Sequence, residues 1–247
     1  MKRSAIFLAA CGLLFSSGEA LSADAVTVAD ALKDVRINGA LSAGYNYNFN
    51  EPHTRAINLR PFNDGHNSFE LELAQLVFHK DAANAGEAGF RLDLNFGYTV
   101  PKAIHAVGAA SSDDFDVRQA YISYVAPVGS GLKLDFGKFV TDHGLEVIEG
   151  YEDWNLNYSR SFLFYYSIPF THTGLRATYK VSDMLTLSGA VVNGWDNVDD
   201  NNNSKSFHAH AIVTPLPDTT VNLKYMAGTE ANDTRHLFNL NLSKSFG

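Results

Sequence analysis

The chain has 247 residues, 45% of them hydrophobic, a formal net charge of −8 and a mean hydropathy of −0.12. The acidic balance and the lack of a phosphate-cradling glycine loop exclude nucleic acid and nucleotides as partners. Past the N-terminus no stretch has the roughly 18 consecutive apolar residues of a spanning helix, but a transmembrane β-barrel stays open, because its lipid-facing and lumen-facing residues alternate and cancel in any window.

Lys2 and Arg3 precede an apolar run from Ala5 to Phe15 and a polar stretch ending in small residues, the order of parts in a secretory signal peptide. Cleavage after Ala23 is expected, with Ala20 as the alternative, giving a signal peptide at 1–23 and a barrel over 24–247. Leu8-Ala9-Ala10-Cys11 also resembles a lipoprotein cleavage site, but Cys11 falls midway through the apolar run. It is the only cysteine, so the cleaved chain has no disulfide and a closed ring of strand hydrogen bonds has to supply the stability.

Residues 24–34 form a short amphipathic leader. From Val35 the chain alternates: Ile37, Leu41, Tyr45, Tyr47 and Phe49 against Arg36, Asn38, Ser42, Asn46 and Asn48, long enough to cross a bilayer when tilted. Phe69 to Lys80 reads as a second strand whose phase changes around Ala74-Gln75, which predicts a bulge. The third has the cleanest alternation, with Phe90, Leu92, Leu94 and Phe96 against Arg91, Asp93 and Asn95. Val117 to Ala126 is a fourth strand of unclear phase, and Leu132 to Gly137 a fifth.

Between Gly137 and Gly174 the alternation stops, and the stretch carries five acids, His143, His172 and many aromatics. About 30 residues without alternation are uncommon in a compact domain unless they fold inward or have a function. A loop turned into the lumen also removes the aromatic half, Ser161 to Phe170, from water.

Strands follow at Leu175 to Lys180, Leu185 to Trp195, Phe207 to Val213, Val221 to Ala227 and Phe238 to Phe246. Short turns alternate with long polar loops, as the periplasmic and extracellular ends of a barrel do. The fold class read from this pattern is all-β: a single antiparallel transmembrane β-barrel with ten legible strands and one long loop in the lumen. Charges on lipid-facing positions cost about 2–4 kcal/mol near the midplane. The lumen is therefore assigned Arg36, Glu70, Glu72, Arg91, Asp93, Lys133, Asp135, Arg176, Lys180 and Lys224.

Four blocks carry a family resemblance: LRPFNDGHNSFELELAQLVFHK (Leu59 to Lys80), GKFVTDHGLEVIE (Gly137 to Glu149), NYSRSFLFYYSIPFTHTGLRATY (Asn157 to Tyr179) and VVNGWDNVDDNN (Val191 to Asn202). Together they resemble the outer-membrane β-barrel porin family described as OmpL-like. The resemblance implies passive diffusion of small solutes and no chemistry. Members of that family continue past the block resembling Arg235 to Phe238, so the chain reads as C-terminally truncated, with twelve or more strands when complete; a compact ten-strand barrel is the alternative.

The resulting expectation is a porin in a Gram-negative outer membrane, passing small polar solutes and ions. Its constriction is assigned to Asp142, Glu146, Glu149, Arg160 and His172 on the loop, facing Arg91, Asp93, Arg176 and Lys133 on the wall. Lipid and small solutes are the expected partners. No residue pattern speaks for or against a trimer. The alternatives are a non-conducting anchor or adhesin that displays its loops, and a barrel hydrolase. Against the hydrolase, Ser159 lies in Tyr158-Ser159-Arg160 with no nucleophile motif around it. No cofactor is expected, and no metal: His143 and Glu146 have the spacing of a helical turn only, and His208 with His210 offers two ligands on one strand.

Overall fold

The computed structural model describes residues 34–103, 114–230 and 233–246; the expected signal peptide lies outside them. Ten strands run in order: β1 (Arg36–Asn46), β2 (Ser68–Lys80), β3 (Ala88–Phe96), β4 (Phe115–Ala126), β5 (Leu132–Val140), β6 (Thr171–Ser182), β7 (Leu185–Val192), β8 (Ser206–Leu216), β9 (Thr219–Glu230) and β10 (Asp233–Lys244). Two short helices interrupt the loops, α1 (Val100–Ala103) and α2 (Phe162–Ser167). Every strand pairs antiparallel with its sequence neighbour in one sheet. The ten strands match the ten periodic segments. The ring of hydrogen bonds expected to close the wall is continuous from β1 to β10, but no ladder joins β10 to β1 among the described residues.

Burial across this sheet is inverted relative to a soluble protein. Ile37, Leu41, Phe69, Ile122, Phe136, Phe207, Phe238, Leu240 and Leu242 are exposed on the outer face, while Glu70, Glu72, Gln75, Asp93, Asn95, Arg118, Gln119 and Asp135 are buried inside. In water the outer face would cost apolar area at every second residue. Against lipid tails it costs nothing, and the polar residues behind it need one another instead.

Two bulges shape the inner face. Ser42 pairs with Leu73 and Ala43 with Leu71, so Glu72 is the extra residue and Glu72 and Leu73 both turn inward. The bulge therefore falls slightly before the expected Ala74-Gln75. In β4, Asp93 pairs with Gln119 and Leu94 with Val117, which leaves Arg118 extra. Two successive residues, Arg118 and Gln119, then point at the same neighbour, and this is why the phase of β4 is unreadable in the sequence.

Other boundaries also move. β5 runs three residues past Gly137, β6 starts at Thr171, and β9 and β10 extend to Glu230 and Asp233, facing each other across residues 231–232. Gly137 and Gly174 sit opposite each other. Gly137 has φ +139°, and a Cβ there would lie 2.2 Å from the Ala120 oxygen; one on Gly174 would lie 2.1 Å from the Val191 oxygen. A β-branched residue at Gly137 has both a forbidden φ and no room. Gly137→Val is expected to destabilise the folded chain by about 2 kcal/mol or more, read as a lower urea midpoint in detergent micelles.

Candidate functional site

The long loop comprises the 30 residues between Val140 and Thr171. Its middle is fastened to the β2–β4 wall by inward-facing polar groups, of which Glu72 and Arg118 are turned there by the bulges. Asp93, fully buried, accepts from Arg91 Nε (2.7 Å), Arg118 Nη1 (2.7 Å) and Gln119 Nε2 (2.8 Å). The same two arginines reach onward to the loop: Arg91 Nη1 to the Glu152 carboxylate at 2.9 Å, and Arg118 Nη2 to the Ile148 carbonyl. Gln75 Oε1 accepts from the Tyr151 backbone N–H (2.9 Å), and Tyr158 donates its hydroxyl to Glu72. Burial and the Glu72 carboxylate push the Tyr158 phenol up to about 12, so it remains a donor at neutral pH.

The start of the loop is tied to other strands. Lys224 of β9 donates to the Asp142 carbonyl. Gly144 N–H donates to Asn239 Oδ1 (3.2 Å), and its carbonyl accepts from Asn241 Nδ2 (2.6 Å), both on β10. The loop thus bridges β2–β4 and β9–β10 through the interior. Its aromatic half packs as expected: Phe164, Ile168 and Phe170 are buried with Ile148 and with Phe62 of the β1–β2 loop. Phe162, Leu163 and Tyr166, on the other side of α2, stay exposed. Ser161 caps α2 by accepting from Phe164 N–H (3.2 Å).

Between loop and wall lies a cavity of about 430 Å³. Its basic lining groups, Arg91, Arg118, Arg176 and Lys224, all come from strands, and its acids, Asp142, Glu146, Glu152 and Asp153, all come from the loop. The residues assigned to a constriction are placed as follows. Asp142, Glu146, Arg91 and Arg176 line the cavity. Asp93 lies behind Arg91 and Arg118. Glu149 pairs with Arg160 inside the loop instead of facing the wall, and Glu146 receives Ser161 N–H at 2.9 Å. His172 belongs to β6, not to the loop, and is buried against Thr141 and Phe139. Lys133 sits 3.6 Å from Asp135 and is partly exposed, while Asp135 is held by Arg176 (2.9 Å) and Ser123 (2.6 Å). Arg36 and Lys180, assigned to the lumen, instead form exposed ion pairs with Asp81 and Asp183 near the short turns. Ser159 Oγ lies against Asn157 and Arg60. Arg118, Glu152 and Asp153 are absent from the sequence-based assignment; the β4 bulge hid the first, and nothing in the acid spacing separates Glu152 from Glu146 or Glu149.

The end of the loop is fixed by an acid of the β7–β8 loop. Asp196 Oδ1 accepts from Phe170 N–H (2.5 Å) and Thr171 N–H (3.0 Å), and its Oδ2 has no partner among the described residues. Burial pushes its carboxyl up to about 6. A carboxyl whose folded-state value is raised stabilises the fold fully below its unfolded value near 3.8 and loses that contribution as pH rises through about 6. The loss is on the order of 3 kcal/mol. Asp196→Asn removes the charge and keeps the acceptor. The urea midpoint of the unsubstituted chain is expected to fall, relative to that of the variant, between about pH 3.5 and pH 6.5, the span of this titration. Parallel midpoints would rule out the titration.

A family model described as beta-barrel porin-2, OmpL-like, matches residues 34–245. No curated protein matches the chain. The family match spans all ten strands and the inward loop, and its description agrees with an apolar outer face around a charged interior. The chain belongs to the beta-barrel porin-2, OmpL-like family.

Proposed function

We propose that the chain is an outer-membrane porin through which small polar solutes and ions diffuse passively, with the loop over 141–170 as its constriction. The observation that carries this reading is the sorting of charge around the cavity, bases on the strands and acids on the loop. Facing charges across a water path orient polar solutes and raise the cost for apolar ones, whose passage leaves both rows of charge poorly hydrated. The apolar outer face supports insertion by strands; no helix among the described residues is long and apolar enough to cross a membrane. No bond is made or broken in this activity, and the solute's own gradient drives it.

Liposome swelling tests the proposal. Vesicles carrying the refolded chain are expected to swell in isotonic sugar at a rate that falls steeply with sugar size and rises linearly with concentration. Saturation would contradict free diffusion, and absence of swelling with folded protein in the vesicles would contradict the pore.

A further inference from the structure

Asp142 and His143 open the long loop, and His208 lies on β8, which belongs to the opposite part of the chain. One side-chain ligand atom from each comes within 4.8 Å of the other two. Both ring nitrogens of His143 and Nε2 of His208 are buried with no hydrogen-bond partner among the described residues, although His143 is only 2% exposed. Their rings meet edge to face at 5.2 Å. A neutral imidazole always carries one N–H, and leaving it unmet in a buried place has a real cost. Two imidazoles with unmet nitrogens beside a carboxylate form a donor set.

We propose that Asp142, His143 and His208 form a binding site for a divalent transition-metal ion of the Zn²⁺ class. Imidazole nitrogen with one carboxylate oxygen is the ligand chemistry such ions take, and hard ions such as Mg²⁺ do not. Bonds of about 2.0–2.2 Å place tetrahedral ligand atoms about 3.3–3.5 Å apart, so groups now within 4.8 Å of one another draw in by up to about 1.5 Å, within reach of side-chain rotation. Asp142 and His143 border the cavity, which leaves a fourth position open to water or solute.

The surroundings hold the ligands in place. His210 Nδ1 lies 2.8 Å from Asp142 Oδ2 and its Nε2 lies 3.0 Å from Asn222 Oδ1, so a third histidine fixes the carboxylate from behind. Lys224 donates to the backbone carbonyl of Asp142 and leaves the carboxylate to the ion. His172 stands edge-on to His208 at 4.3 Å, with Nε2 taken by Thr141 Oγ1 (3.1 Å), and walls the site on the strand side. Bound there, the ion would tie the root of the loop to β8.

The site is tested on the refolded full-length chain in detergent, stripped with a chelator, with Zn²⁺ or Co²⁺ as the probe. One equivalent of Zn²⁺ is expected to bind by calorimetry. His143→Ala and His208→Ala should each weaken binding by about a hundredfold and His210→Gln by about tenfold, the scale of losing a ligand or its support. His79→Gln, at a buried histidine elsewhere, should leave binding unchanged. If the alanine variants do not fold, the unsubstituted chain decides alone: Co²⁺ gives the strong visible absorption of a four- or five-coordinate nitrogen and oxygen site. The weak spectrum of hydrated cobalt, or Zn²⁺ bound equally by the folded variants, would overturn the proposal. None of these readouts depends on conductance.

Discussion

Deletion of Glu146–Tyr158 is expected to raise single-channel conductance on the order of twofold or more, because a constriction in series sets the resistance of a water-filled path. The cut is geometrically mild. Asn157 Nδ2 donates to Glu146 Oε1 at 3.3 Å, and Val147 and Asn155 bond each other, so the segment leaves and returns through a narrow neck. The deletion also removes Glu146, Glu149, Glu152 and Asp153 and no lysine or arginine. Arg91 loses its Glu152 partner and Arg118 its carbonyl, and both face the enlarged path. Selectivity should therefore move toward anions, read as a shift of the reversal potential under a salt gradient. Loss of fold alone would give fewer or noisier channels with unchanged selectivity. Unaltered conductance together with an unaltered reversal potential would remove the loop from the permeation path.

Asp93→Ala is expected to destabilise the folded chain by about 3–5 kcal/mol, the usual cost of stripping one partner from a buried ion pair. Asp93 has no exposure and Arg118 has 5%, so neither can find water as a substitute. Once the carboxylate is gone, two guanidiniums face each other across the gap. Pairing Asp93→Leu with Arg118→Met removes both charges of that pair, and part of the loss should return, because an apolar pair of similar volume does not leave a buried charge. Urea midpoints of the chain, the single variant and the double variant measure this. A single variant as stable as the chain itself would mean that the cluster is not a structural one.

These two sites differ in how well they can be read without a structure. Asp93 and Arg91 are legible because β3 alternates without a break, and each polar position falls where the lipid face cannot be. Arg118 is not legible: a single extra residue in β4 reverses the parity and turns two neighbours inward. The same limit hides the bulge at Glu72, which shows in the sequence only as a change of phase a little further on. The inward fold of the loop was readable from length and aromatic content, whereas its pairings were not. Glu149 meets Arg160 and Glu152 meets Arg91, and only the folded path of the loop chooses between acids that look alike in sequence. The cluster of Asp142, His143 and His208 has its last member on a distant strand. No local spacing can signal such a set, which is why the sequence supports the expectation of no metal while the interior holds unmatched imidazoles.

The extent of β9 and β10 follows the same logic. Alternation is plain from Val221 to Ala227 and from Phe238 onward, but between them Gly228 to Leu237 is too polar to read as strand. Cross-strand pairing such as Arg235 with Gly228 and His236 with Ala227 carries the ladder through that stretch. Tyr225 and His236 stack at 6.1 Å on it, a contact between strands that no single-strand pattern contains.

A conducting water path through the chain shows directly in planar-bilayer recording of the refolded full-length protein. Discrete, steady current steps proportional to voltage are expected in symmetric salt. A bilayer that stays silent while the same preparation is shown by circular dichroism to be folded and inserted would contradict such a path.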